Sequence, residues 1–140
     1  MDNSLLFTYG TLRVGQYNAS LISDTGSYIE TVKSVKLFIM VTNDINSFPF
    51  LIDPEHWPEM RHMAVQIIGD IYTVNPKGIS RCDHLEGHPT WYCRNTIDVI
   101  NNENVIYSAQ AYILTKESFN NLRQSSLNIL KGDWIASKAI

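Results

Sequence analysis

The chain has 140 residues, 44% of them hydrophobic, and carries 11 Lys and Arg against 14 Asp and Glu, for a formal charge of −3. That length suits one globular domain over residues 1–140, which buries about two-thirds of the surface its unfolded chain exposes. The basic residues are scattered and no apolar run is long enough to span a bilayer, which argues against nucleic acid and membranes as partners.

The opening, Met-Asp-Asn-Ser-Leu-Leu-Phe, is acidic and too weakly apolar for a secretion signal, so the chain reads as a soluble protein of the cytoplasm. In that compartment Cys82 and Cys93 are expected to be thiols that serve in packing. Leu5 to Tyr9 reads as a first strand that ends at Gly10. The following Thr-Leu-Arg-Val-Gly-Gln-Tyr-Asn has neither strand nor helix period and reads as a structured loop. Gly10 and Gly15 let such a loop turn tightly and bring amide N–H groups toward a ligand oxygen; an ordinary strand-end turn fits the same residues.

Asn18 to Ile22 fits one helical turn, Tyr28 to Lys33 and Val35 to Val41 fit two strands, and Asn43 to Ser47 is turn-forming. Phe48-Pro49-Phe50-Leu51-Ile52 is too apolar for a hydrated loop, and Pro49 keeps it out of a central strand, so it belongs against the core or along a cavity. Asp53 to Arg61, with two prolines and Trp57, reads as a surface excursion or a flap in which Trp57 either packs or covers a site. Met63 to Val74 alternates as a strand, with Gly69 as an expected bulge. Asn75-Pro76 then carries helix-start chemistry. That helix runs to about Leu85, with Ile79, Cys82 and Leu85 forming a buried stripe.

Tyr92 to Ile100 and Val105 to Leu114 are strands joined through Asn101–Asn104, Lys116 to Leu122 is a helix capped by Thr115, and Trp134 follows a turn and docks on the body. There is no internal repeat. About six strands and two or so helices without βαβ alternation predict an α+β fold, a small mixed β-barrel or curled sheet.

Chemistry concentrates in Arg81–Arg94. Glu86 stands at a helix end before Gly87 and Pro89, at a junction where a carboxylate can be aimed outward, with Trp91 and Tyr92 available to raise its proton affinity. A metal site on His84 and His88 is disfavoured because Gly87 breaks the helical turn such a motif needs, so no metal is expected. Cys82 on the apolar stripe and Cys93 in a strand have the positions of inert thiols. Asp83 and Glu86 share one helical turn and cannot flank a bond from both sides as a glycosidase requires; Asp83 is assigned to solvation of the helix surface. A fourth arrangement is Glu86 as a single general acid/base, working with a backbone oxyanion site in the Gly10 loop; on these residues alone a lone Glu also reads as a surface charge.

Phe7-Thr8-Tyr9-Gly10-Thr11-Leu12-Arg13-Val14-Gly15-Gln16, with Asn18, resembles the opening motif of the γ-glutamyl cyclotransferase-like (AIG2-like) family. Asp83-His84-Leu85-Glu86-Gly87 with Tyr92 and Arg94 resembles that family's catalytic-glutamate segment, and Phe48-Pro49-Phe50-Leu51 and Gly132-Asp133-Trp134 are similar to two weaker patches. The form Gly-Thr-Leu-Arg-x-Gly-Gln-x-Asn is most similar to the γ-glutamylamine cyclotransferases, which release an amine from substrates such as γ-glutamyl-ε-lysine. Ala19 and Phe48 depart from the His and Tyr those relatives often carry, which bears on the leaving-group pocket.

The resemblance implies the family's fold and a cofactor-independent reaction on a small γ-glutamyl substrate that yields 5-oxoproline. It implies Glu86 as the catalytic residue and Tyr9, Gly10, Thr11, Leu12, Pro49, Tyr92 and Tyr112 as substrate-binding residues. Tyr92 and Tyr112 fit equally as core aromatics. The rival expectation is a non-catalytic module that keeps the cavity to bind a metabolite or a protein. Oligomeric state is not legible.

Overall fold

The structure, a computed structural model, describes residues 3–16, 18–19, 22, 24–43, 48–123 and 126–138. Among these lie eight strands: β1 (Ser4–Thr8), β2 (Gly26–Ser34), β3 (Ile39–Thr42), β4 (Phe50–Ile52), β5 (Ile68–Val74), β6 (Tyr92–Ile100), β7 (Ile106–Leu114) and β8 (Asn128–Leu130). The helices are α1 (Pro76–Glu86), α2 (Lys116–Leu122) and α3 (Trp134–Lys138), with two 3-10 stretches at Pro54–His56 and Pro58–Met63. None of these helices is long and apolar enough to cross a membrane.

Five strands close a barrel in the order β1-β5-β2-β6-β7, antiparallel except where β1 meets β7. A second, three-stranded antiparallel sheet runs β4-β3-β8. Side chains of one parity from all five barrel strands, among them Phe7, Val32, Ile71, Ile97 and Ala111, fill the barrel. The opposite parity, among it Leu6, Tyr72, Tyr92 and Tyr112, packs outside against Ile79 and Cys82 of α1 and Phe119 of α2. The small sheet has apolar neighbours on both faces, Met40 and Leu51 on the barrel side and Val41 and Phe50 on the other. The α+β barrel read from the sequence is the observed architecture.

Several details differ. The run 35–41 narrows to β3, because Val35 and Leu37 are exposed and Phe38 makes only a bridge to Val65. The long strand begins at Ile68, and Met63 instead ends a 3-10 stretch. Gly69 is no bulge. It pairs in register with Val32, while the irregularity lies on β2 between Tyr28 and Glu30; a side chain at 69 would strike the Thr8 carbonyl and the Phe7 ring. Leu85 leaves the buried stripe and is 40% exposed, since it sits on the last turn of α1. Phe50-Leu51-Ile52 is an edge strand with Pro49 just outside it, where a missing N–H does no harm. Trp57 packs on Phe119, with ring centroids 5.0 Å apart. Residues 44–47 of the expected turn at Asn43–Ser47 and part of the one at Asn18–Ile22 lie outside the described residues.

Candidate functional site

The end of α1 sets the position of Glu86. Asn75 caps the start, its side chain accepting from the Gly78 N–H at 2.9 Å, with Pro76 at the first helical position. Gly87, at φ 64°, ends the helix in the left-handed conformation, and the His88 N–H returns to the Asp83 carbonyl at 2.9 Å. Glu86 is therefore the last helical residue, on a rigid element.

Facing it is a cavity of about 490 Å³ lined by Phe7, Thr8, Tyr9, Gly10, Thr11, Leu12, Asn18, Phe48, Pro49, Leu85, Glu86, Trp91, Tyr92, Tyr112 and Trp134. All eight site residues read from the sequence meet in this one hollow. Burial pushes the Glu86 carboxyl up from 4.5 to about 7. Among the described residues it has no hydrogen-bond or ion-pair partner to oppose that shift.

The glycine turn is held from several sides. The Arg13 N–H donates to the Gly10 carbonyl at 3.0 Å, the Asn18 N–H to the Thr11 carbonyl at 2.7 Å, and Asn18 Nδ2 to Thr11 Oγ1 at 2.9 Å. Tyr72 donates its hydroxyl to the Leu12 carbonyl at 3.3 Å. Beneath the turn, Arg13 and Asp70, 7% and 3% exposed, form an ion pair at 3.2 Å, and Asp70 also accepts from the Val14 N–H and Thr31 Oγ1. The other arm of the guanidinium reaches Asp133 at 3.1 Å, directly before Trp134, which lines the cavity. Among the described residues, the amides of Gly10, Thr11 and Leu12 donate to no backbone carbonyl. Gly10 is small because Pro49 lies on it: a Cβ there would come within 2.9 Å of Pro49 Cγ.

The tyrosines are walls with their hydroxyls engaged. Tyr9 donates to the Tyr112 carbonyl at 2.6 Å, Tyr92 to the Pro49 carbonyl at 3.4 Å, and Tyr112 to Asp83 Oδ1 at 2.7 Å. Burial, with the nearby Glu86 charge, drives Tyr9 well above the usual phenol range; burial, then Tyr9 and Glu86, does the same to Tyr92. All are 7% exposed or less, so wall and core roles coincide.

Asp83 does not solvate a helix surface. Arg94 grips it through two donors at 2.8 and 3.2 Å, and Tyr112 adds a third. Burial alone would raise its pKa, but these hydrogen bonds outweigh that and hold it below the ordinary value. Cys82 is pushed up to about 12 by burial and by Glu86 and Asp83, an inert thiol at neutral pH. His88 Nδ1 accepts the Arg94 N–H at 3.0 Å. The buried Arg13–Asp70 pair and the Asp83–Arg94 pair were not read from the sequence; a lone charge inside an otherwise apolar strand, as Asp70 is in β5, was the available signal.

Residues 6–136 match the family model described as "Gamma-glutamyl cyclotransferase, AIG2-like". A Methanocaldococcus jannaschii protein with a provisional gamma-glutamylcyclotransferase name is 32% identical over 95 residues, 68% of this chain and 71% of that protein. The gamma-glutamylaminecyclotransferase of Rattus norvegicus is 30% identical over 98 residues, 67% of this chain and 62% of that protein. The fold is similar to the crystal structure of an AIG2-like protein from Mus musculus, with TM-score 0.70 at 21% identity over 83% of this chain and 80% of that one.

Proposed function

This chain belongs to the gamma-glutamyl cyclotransferase, AIG2-like family, and on that premise we propose that it converts a γ-glutamylamine, such as γ-glutamyl-ε-lysine, or a related γ-glutamyl amide to 5-oxoproline and free amine. The observation that carries the reading is the Glu86 carboxyl, without a hydrogen-bond or ion-pair partner among the described residues and raised to about 7, sharing one cavity with the Gly10 turn.

In such a substrate the α-amine attacks the γ-carbonyl carbon. A C–N bond forms, a five-membered ring closes, and the amide C–N bond breaks. No water is consumed. The attacking amine, with a pKa of about 8, is largely protonated at neutral pH and must first lose a proton. Glu86 takes it, then returns it to the departing nitrogen. An ordinary carboxylate is too weak a base by several pKa units; at about 7, Glu86 is nearly matched to the amine. The amides of Tyr9 to Leu12 stabilise the developing oxyanion or bind the substrate carboxylate. The walls of Tyr9, Pro49, Tyr92 and Tyr112 hold the glutamyl chain in its ring-like conformation, an entropic contribution. Neither metal nor cofactor enters this scheme. The unpaired Cys82 and Cys93 suit a reducing compartment, and the reading puts the enzyme in the cytoplasm.

The test is incubation with γ-glutamyl-ε-lysine, γ-glutamylcysteine, γ-glutamylalanine and γ-glutamyl-n-butylamide, followed by mass spectrometry for 5-oxoproline. At least one should yield it. Formation from none would leave a cavity that binds without catalysis.

A further inference from the structure

Resting on the cyclotransferase reading, we propose that the outer end of the cavity, formed by Phe48, Leu85 and Trp91, takes an apolar alkyl or aryl amine as leaving group in preference to a zwitterionic amino acid.

The cavity wall has a direction. Pro49 lies against Gly10, and its neighbour Phe48 carries the next contact, its ring edge-on to Trp91 with centroids 6.3 Å apart. Trp91 in turn packs against Phe50 at 5.9 Å and Tyr92 at 5.4 Å, which fixes it in an aromatic cluster. From the amide-bearing turn outward the order is therefore Gly10, Pro49, Phe48, Trp91. In the proposed binding mode a γ-glutamyl group seated at the turn directs its amide nitrogen, and whatever that nitrogen carries, along this wall toward the aromatic end.

That end is apolar and still partly open to water. Among the lining residues, Leu85 and Trp91 are the large apolar side chains left exposed, at 40% and 37%. An alkyl or aryl group covering them gains burial on both sides, about fourfold in affinity for each methylene.

Charge points the same way. Among the described residues lining the cavity, Glu86 is the one acidic or basic side chain. The nearby guanidinium of Arg13 is engaged by Asp70 and Asp133. A lysine leaving group would bring an α-carboxylate and an α-ammonium to this end, with no described lining cation to meet the first, and would strip part of the water from both.

The experiment measures kcat/KM for the γ-glutamyl methyl-, ethyl-, n-butyl- and benzylamides, γ-glutamyl-ε-lysine and γ-glutamylputrescine, whose tail ends in an ammonium. The expected result is a rise of about fourfold per methylene from methyl to butyl, with the butylamide at least about tenfold better than either charged amide. Trp91→Ala should flatten that slope. Should that variant fail to fold, Leu85→Ser, at an exposed position, reads out the same slope. A flat series in the wild type, an unchanged slope in the folded variants, or a charged amide equal to the butylamide overturns the inference and leaves the cyclotransferase reading standing. If no amide in the series is turned over, both fall together.

Discussion

One turn apart on α1, Asp83 is held by three donors from Arg94 and Tyr112, while Glu86 faces the cavity with no hydrogen-bond partner among the described residues. The two carboxyls are driven in opposite directions, Asp83 below its ordinary value and Glu86 up to about 7. One stays an anion and braces the helix; the other exchanges a proton near neutrality.

Removing the brace should therefore disturb the Glu86 carboxyl, the proposed proton carrier. Arg94→Met leaves the Asp83 charge without its cation, at side chains 23% to 26% exposed. The expected loss of stability is about 1–2 kcal/mol, read from denaturant unfolding. The acid limb of the rate profile should move upward, because an unneutralised anion near Glu86 disfavours its ionised form. An unmoved limb would mean Asp83 is electrostatically silent.

The raised Glu86 carboxyl should also be visible in stability. Its folded pKa of about 7 lies above the ordinary 4.5, so between those values the folded state holds a proton that the unfolded state has lost. Stability from this group is intact below about pH 4 and falls as pH rises toward 7. Glu86→Gln has no such dependence. It should be more stable than the wild type by about 2–3 kcal/mol at pH 8 and equal to it near pH 4, as chemical denaturation at the two pH values would report.

Beneath the glycine turn, Asp70 collects Arg13, the Val14 N–H and Thr31 while 3% exposed. Asp70→Ala leaves Arg13 with Asp133 as its remaining carboxylate and the Val14 N–H without its acceptor, and should lower stability by about 2–4 kcal/mol. A thermal melt within a degree of the wild type would show that the turn does not depend on this pair.

Gly10→Ala places a methyl group against the Pro49 ring at 2.9 Å. A proline ring cannot swing aside as a flexible side-chain tip does. The substitution should cost about 1–3 kcal/mol and, on the proposed role of this wall in shaping the glutamyl chain, raise KM at least tenfold by widening it. Unaltered KM would remove the Gly10–Pro49 contact from substrate binding.

The long elements were legible because they are amphipathic over many residues, as with β6, β7 and α1 with its Asn75 cap and Gly87 stop. The three-residue strand Asn128–Leu130 was not, because so short a segment shows no alternation and is a strand only by pairing with β3. Gly69 was misread for a related reason. Its smallness answers to Phe7 and Thr8 across the barrel wall, contacts that no local pattern encodes. The gathering of Glu86, Gly10, Pro49 and Tyr92 into one cavity followed from motif resemblance. The engagement of all three tyrosine hydroxyls by Tyr112, Pro49 and Asp83 depends on exact distances and needed coordinates.

The most direct measurement is the pH dependence of 5-oxoproline formation by wild type and Glu86→Gln on a γ-glutamyl amide that the wild type turns over. The account predicts a wild-type rate that rises through an acid limb near pH 7 and a variant that loses at least about a thousandfold in kcat while remaining folded. A variant that keeps most of the wild-type rate, with the same limb, would contradict it.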